Sequence, residues 1–232
     1  MLVSIVLLTA HDLHLIGREH WCSSRSGNNG RQCVDNTGAV LHWYDFLCPF
    51  CYVGQHRNAI LVRRGLLVVE LAFQAHPDIL PGGISAGQRT GPIYQMLERE
   101  AKEAGLPLHW PRHLPNTWRA LATAEWARRN QPDAFRELHK RLFEAHFVKG
   151  EDLEDRAVID RHAGESGINL ATLHAALADG SAEESVTKAE MIGRKHGVQG
   201  TPAWLLGHRV IAGLRSAAEF ERLAADVLQS NR

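Results

Sequence analysis

The strongest constraint on this chain is a strand, a helix and a second strand met in that order between residues 39 and 73. Two cysteines stand at the first junction. The run AVLHWYDF (39–46) is β-branched and aromatic, the composition of a strand. The residues after Cys48 keep a helical pattern to Arg64. There Gly65 supplies a C-terminal glycine, and Arg63 and Arg64 place positive charge against the negative end of the helix dipole. LLVVELAF (66–73) reads as a second, largely buried strand. Two strands joined through a helix run parallel, so this segment is a βαβ unit.

After HPDILPGG the character changes. From about Pro92 to His196 the signals are helical, and no strand is expected. Trp118, Leu121, Ala122 and Trp126 repeat at helix spacing, as do Phe135, Leu138, Leu142 and Ala145. Asn169 is a candidate cap. Ser181 with Glu184 has the form of a capping box, and Gly197 marks the end of that helix. Sheet character returns in TPAWLLGHRVIAG. Trp204–Leu206 and Arg209–Ile211 are expected as short strands about a Gly-His turn, with glycine at the first central position as a type II′ hairpin demands. The last helix opens with a second capping box, Ser216 with Glu219. It carries Phe220, Leu223, Ala224, Val227 and Leu228 on one face. The order is βαβ, helical insertion, ββα, an α/β fold without internal repeats.

The stretch DFLCPFCYVG (45–54) raises the functional question. A Cys-x-x-Cys pair is half of a zinc site, a structural disulfide or a redox couple. A closed zinc site wants four ligands, often as two paired clusters. The chain has one such pair, and its histidines are scattered, so no metal is expected. A structural disulfide across two residues closes a tiny loop and removes little unfolded-state entropy. The redox reading agrees with the local physics. A thiol at a helix N-terminus faces unpaired backbone N–H groups and the positive dipole end, and both favour thiolate. Pro49 suits the first helical turn, where it gives up no needed donor. Cys48 is then the outer nucleophile and Cys51 the deeper, resolving thiol. Thr201-Pro202, before the second sheet segment, is the place for a cis bond. With that geometry the Thr201 backbone meets an extended substrate by strand addition beside Cys48.

Charge balances at 26 basic against 26 acidic residues, with no block of either sign. Nucleic acid and an anionic membrane surface are therefore not expected as partners. The opening run MLVSIVLLTA is too short to span a bilayer and lacks a basic n-region. A cytoplasmic setting is expected, with export as the alternative. SSRSGNNGRQ reads as loop or disorder. Cys22 and Cys33 on either side of it, in the same polar, glycine-rich region, read as incidental thiols.

DFLCPFCYVG, LAFQAHPDILPGG, RLFEAHFVKGEDL and GVQGTPAWLLGHRVIAG, in that order, resemble the DsbA-like thioredoxin-fold oxidoreductases, in the FrnE-type subgroup. The resemblance runs from about residue 39 to the C-terminus. It implies a thioredoxin fold with a large all-helical insertion, an active disulfide at Cys48 and Cys51, and a cis proline at Pro202. It also implies oxidoreductase or isomerase activity on protein or peptide thiols and disulfides, with no cofactor beyond the redox disulfide and with glutathione as a candidate partner. The expected boundaries are an N-terminal extension, poorly ordered, over 1–38; the first part of the thioredoxin-like domain over 39–91; the insertion over 92–196; and the second part over 197–232. Residues 1–38 depart from the family pattern.

Other residues carry two readings each. Asp45 is either a proton acceptor for Cys51 or the end of the strand and a cap for the helix. His42 and Trp43 flank the site, but alternation leaves at most one of them facing it. Pro49 and Phe50 lie where substrate would bind, though Phe50 reads chiefly as a packing residue. Trp118 and Trp126 read as core. Two other functions compete. Relatives resembling glutathione-dependent 2-hydroxychromene-2-carboxylate isomerases and kappa-class transferases usually carry serine where Cys48 stands. A non-catalytic peptide-binding or chaperone module would use the insertion as a groove wall.

Overall fold

In a computed structural model, residues 39–230 are described, together with two short strands, β1 (Cys22–Ser23) and β2 (Gln32–Cys33). These two pair antiparallel with Cys22 opposite Cys33. The expectation of disorder over 1–38 otherwise falls outside the described residues.

The sheet at the centre has four strands. β3 (Ala39–Tyr44) and β4 (Leu67–Ala72) are parallel in register, Ala39 opposite Leu67. Helix α1 (Pro49–Arg63) joins them. β7 (Ala203–Leu206) pairs antiparallel with β3, and β8 (Arg209–Ala212) antiparallel with β7. Gly207 opens the tight turn between them at φ +59°. This is the expected α/β order, βαβ then ββα, with a helical insertion between the halves.

Strand alternation sorts the core into two faces. Leu41, Trp43, Val69, Leu71, Ala203 and Leu205 point to one side, where they meet Ala189 and Ile192 of the insertion. Val40, Trp204 and Leu206 point to the other, against Ile60 and Leu61 of α1 and Phe220 and Leu223 of the last helix, α8 (Ala217–Ser230). β3 and β7 are thus buried on both faces, which explains their near-continuous hydrophobic runs.

Between β4 and β7 come α2 (Pro92–Glu103), α3 (Trp118–Asn130), α4 (Pro132–Glu144), α5 (Arg156–Glu165), α6 (Leu170–Ala178) and α7 (Ser181–Lys195). α4 runs on into a π-helical turn, Ala145–Lys149, which ends at Gly150 in the left-handed region. Leu121, Ala122, Trp126, Phe135, Leu138 and Leu142 fill a core shared with Tyr44, Phe46 and Cys51, so the insertion closes over the end of the sheet that carries the cysteines. Trp126 is core and Trp118 packs at its edge.

Two expectations need correction. The insertion does contain a strand: β6 (His113–Leu114) pairs antiparallel with β5 (Ile84–Ser85). Two residues are too few for periodicity to reveal. Ser181 and Glu184 do not form a capping box. Gly180 is the N-cap in left-handed backbone, and the Asp179 carboxylate accepts the Ser181 N–H at 2.9 Å. A two-residue turn between α6 and α7, Asp179-Gly180, brings Asp179 to that role. Asn169 and Ser216 do cap, accepting the N–H groups of Thr172 and Glu219 at 3.2 Å each.

Candidate active site

Cys48 is the N-cap of α1 and Pro49 its first residue. The cap atom is sulfur: Cys48 Sγ accepts the Cys51 N–H at 3.4 Å. Across the fold, the Thr201 carbonyl accepts the Cys48 thiol at 3.5 Å. The Thr201-Pro202 peptide is cis, and the Pro202 carbonyl accepts the Gly213 N–H at 2.8 Å. Cys48 retains 8% of its surface while Cys51 is fully buried, and neither is disulfide-bonded.

The two thiols are driven apart electrostatically. Burial, the largest influence, works against thiolate at both. At Cys48 it is outweighed by hydrogen bonds from the Cys51 thiol, from Thr201 and from the Cys51 backbone, so the pKa falls below that of an ordinary thiol. At Cys51 burial is reinforced by the bond to Cys48 and by negative charge there, so the pKa is pushed well up. The Thr201 hydroxyl favours thiolate at both sulfurs although it makes no well-formed hydrogen bond of its own. The arrangement suits attack by Cys48 and proton retention by Cys51 until a mixed disulfide forms.

Asp45 is fully buried and has three donors. Oδ1 accepts from the Leu47 N–H at 3.1 Å and the Thr117 hydroxyl at 2.7 Å, and Oδ2 from the Ala75 N–H at 2.8 Å. Its backbone carbonyl accepts the Cys48 N–H at 3.1 Å. Burial raises its pKa, and these bonds pull the other way. The carboxylate ties the end of β3 to the loop after β4 and to the start of α3.

A polar cluster lies beneath α1. Asn58 Nδ2 donates to Glu70 Oε1 at 2.9 Å and lies 2.8 Å from His42 Nδ1, and the Trp204 indole N–H donates to Asn58 Oδ1 at 2.7 Å. His42 stacks on Trp204 at 4.5 Å, and His139 Nδ1 lies 3.8 Å from Glu70. Burial would raise the pKa of Glu70, but the two histidines and Asn58 draw it down to about 2. Of the two flanking residues, His42 thus lies under the cysteine-bearing helix. Trp43, on the opposite face, donates to the Ala189 carbonyl at 3.0 Å. Residue type alone offered no signal for this cluster, because its members are far apart in sequence.

A cleft of about 320 Å³ opens beside Cys48, walled by Pro49, Phe50, Ile93, Leu97 and Leu114, with Thr201, His76 and Arg89 also lining it. Phe50 both lines this cleft and packs on the core. Arg89 and His76 escaped sequence reading, since nothing local distinguishes them. Among the described residues no group of three or more histidine, cysteine or acidic side chains is placed to hold a metal ion, and no helix is long and apolar enough to cross a membrane.

A family model for the DSBA-like thioredoxin domain matches residues 39–225. Among solved structures, a probable DsbA oxidoreductase from Streptomyces coelicolor is 20% identical, with a TM-score of 0.68, covering 82% of this chain and 90% of that one. A 2-hydroxychromene-2-carboxylate isomerase is 20% identical, with a TM-score of 0.64, covering 84% and 96%. The cytosolic disulfide reductase DsbM from Pseudomonas aeruginosa, with GSH, is 18% identical, with a TM-score of 0.58, covering 84% and 99%.

Proposed function

The chain belongs to the DSBA-like thioredoxin domain family, and from that premise we propose that it is a thiol–disulfide oxidoreductase or isomerase acting on protein disulfides through the couple Cys48-Pro49-Phe50-Cys51. The observation that carries this reading is the opposed pair of thiols, one favoured as thiolate at a helix N-terminus and the other buried and held protonated.

The exchange has two steps. Cys48 thiolate attacks a substrate disulfide, forms a mixed disulfide and expels one substrate thiolate, which takes up a proton. Cys51 then loses its proton and attacks Cys48 Sγ, releasing the second substrate thiol. Two electrons pass to the substrate and the protein is left with a Cys48–Cys51 disulfide; the reverse sequence oxidises a dithiol. Pro49, Phe50, Thr201 and Pro202 frame the place where the substrate sulfur approaches. Asp45, which accepts from three donors, serves as a brace in this reading.

Four separated motifs favour the FrnE-type subgroup. Thr201 beside the proline favours isomerase or reductase action over strong oxidation. Glutathione is proposed as a redox partner, which agrees with the GSH in the DsbM structure. The glutathione-dependent isomerase reading is disfavoured by a resolving cysteine, Cys51, which a glutathione-dependent isomerase does not need. Titration against a glutathione redox buffer tests the proposal: a reversible two-electron couple lost in both Cys48→Ser and Cys51→Ser supports it. A Cys51→Ser protein that accumulates no mixed disulfide would refute it.

A further inference from the structure

The cleft beside Cys48 contains a guanidinium, that of Arg89, with no counter-ion among the described residues. Arg89 Nη1 donates to the Tyr94 hydroxyl at 3.3 Å, and its Cζ stands 5.7 Å from the centre of the same ring. One aromatic side chain therefore holds the cation in two ways. Its Nε is buried and has no partner. Among the described residues no carboxylate pairs with Arg89, and none lines the cleft. The nearby His146 reports the same bias. Burial brings its pKa to about 4, and positive charge on His113 and Arg89 acts in the same direction.

An arginine that lines a cleft, is held by one aromatic ring and has no acidic partner among the described residues is a receptor for a carboxylate, because guanidinium and carboxylate pair through charge-assisted hydrogen bonds. The remaining walls, Phe50, Ile93 and Leu97, are apolar, and Cys48 lies on the same surface. A volume of about 320 Å³ is on the scale of a small molecule rather than a folded protein.

We propose that Arg89 is a specificity determinant which takes the carboxylate of a small acidic disulfide while the apolar walls hold its body and its sulfur meets Cys48. This rests on the exchange reading above. Reduced protein and the disulfide RS–SR give the Cys48–Cys51 disulfide and two RSH; the two electrons and two protons come from the cysteine pair.

The test compares two disulfides, glutathione disulfide and neutral bis(2-hydroxyethyl) disulfide, on the full-length reduced protein. Arg89→Gln should lower the ratio of their rate constants by about tenfold, the equivalent of about 1.4 kcal/mol. Arg89→Lys should restore part of it. A second arm avoids exchange chemistry and mutation. By calorimetry the native protein should bind S-methylglutathione at least about tenfold more tightly than its diethyl ester. An unchanged ratio in Arg89→Gln, or equal binding of acid and ester, would overturn the assignment of Arg89. Failure of both disulfides to oxidise the protein would instead overturn the exchange reading, and the binding arm would still decide whether the cleft selects carboxylates.

Discussion

Replacing Gly193 by alanine should cost several times what an ordinary helix substitution does, and the reason lies in one contact. A methyl built on Gly193 comes within 2.8 Å of Trp43 Nε1 and 3.2 Å of the indole Cδ1 and Cε2. Trp43 is fully buried in β3 and donates to the carbonyl of Ala189, one turn earlier in the same helix. The indole cannot retreat without giving up that bond. Overpacking costs about 1–3 kcal/mol. Leaving the indole N–H unpaired adds about 1–3 kcal/mol. Helix propensity returns about 0.8–1.0 kcal/mol for glycine to alanine. The net is a destabilisation of roughly 1–5 kcal/mol, with a centre near 3. At about 2–4 °C per kcal/mol for a chain of this size, the melting temperature should fall by about 6–12 °C. Gly164→Ala is the control. Its methyl meets only Leu170 Cδ1, at an ordinary 3.6 Å. That variant should gain up to about 1 kcal/mol from propensity alone. Urea unfolding followed by tryptophan fluorescence and circular dichroism measures both. Alkylation at Cys48 should be unaltered in Gly193→Ala, because Trp43 sits on the sheet face away from α1. If Gly193→Ala unfolds at or above the native midpoint, the packing argument is wrong.

Three further outcomes are expected. Iodoacetamide at mildly acidic pH should label Cys48 well before Cys51, read by mass spectrometry of peptides, because the Cys48 pKa lies low and that of Cys51 high; equal rates would refute the division of roles. Asn58→Ala should destabilise by about 2–5 kcal/mol in chemical denaturation, since it strips partners from the Trp204 indole and from Glu70; a loss under 1 kcal/mol would show that the cluster repacks. Glu70 has a folded pKa of about 2, below its ordinary value of 4.5, so its contribution is fully present above the unfolded pKa and disappears as pH falls through about 2. That difference corresponds to roughly 3 kcal/mol at most, so Glu70→Gln should be clearly less stable than the native protein at pH 7, with the gap closing between about pH 5 and pH 2; a gap independent of pH would exclude ionic stabilisation at Glu70.

The sequence by itself determined the elements whose signals are local. The βαβ unit, the helical character of the insertion, the hairpin at Gly207, and the caps at Asn169 and Ser216 depend on side-chain period and on bonds spanning three or four residues. The expectation that Cys48 and Cys51 differ starts from a local signal too, a strand that stops and a helix that begins. Tertiary structure decided what those elements meet. Thr201 reaches Cys48 across 153 residues. Asp45 takes its donors from Leu47, Ala75 and Thr117, two, 30 and 72 residues away. That convergence ties three separate segments to one carboxylate, which its position before the cysteines did not reveal. Asp179 displaced Ser181 as a cap because a two-residue turn, Asp179-Gly180, joins the two helices, and β6 exists only because Ile84 and Ser85 lie alongside it. Arg89 is one arginine among many in the sequence. Its place in the cleft beside Cys48, with Tyr94 holding it, is set by how the segment between β5 and α2 packs. Hydrophobic period and capping are written in neighbouring residues, whereas the partner of a polar group is chosen by the packing of surfaces far apart in the chain.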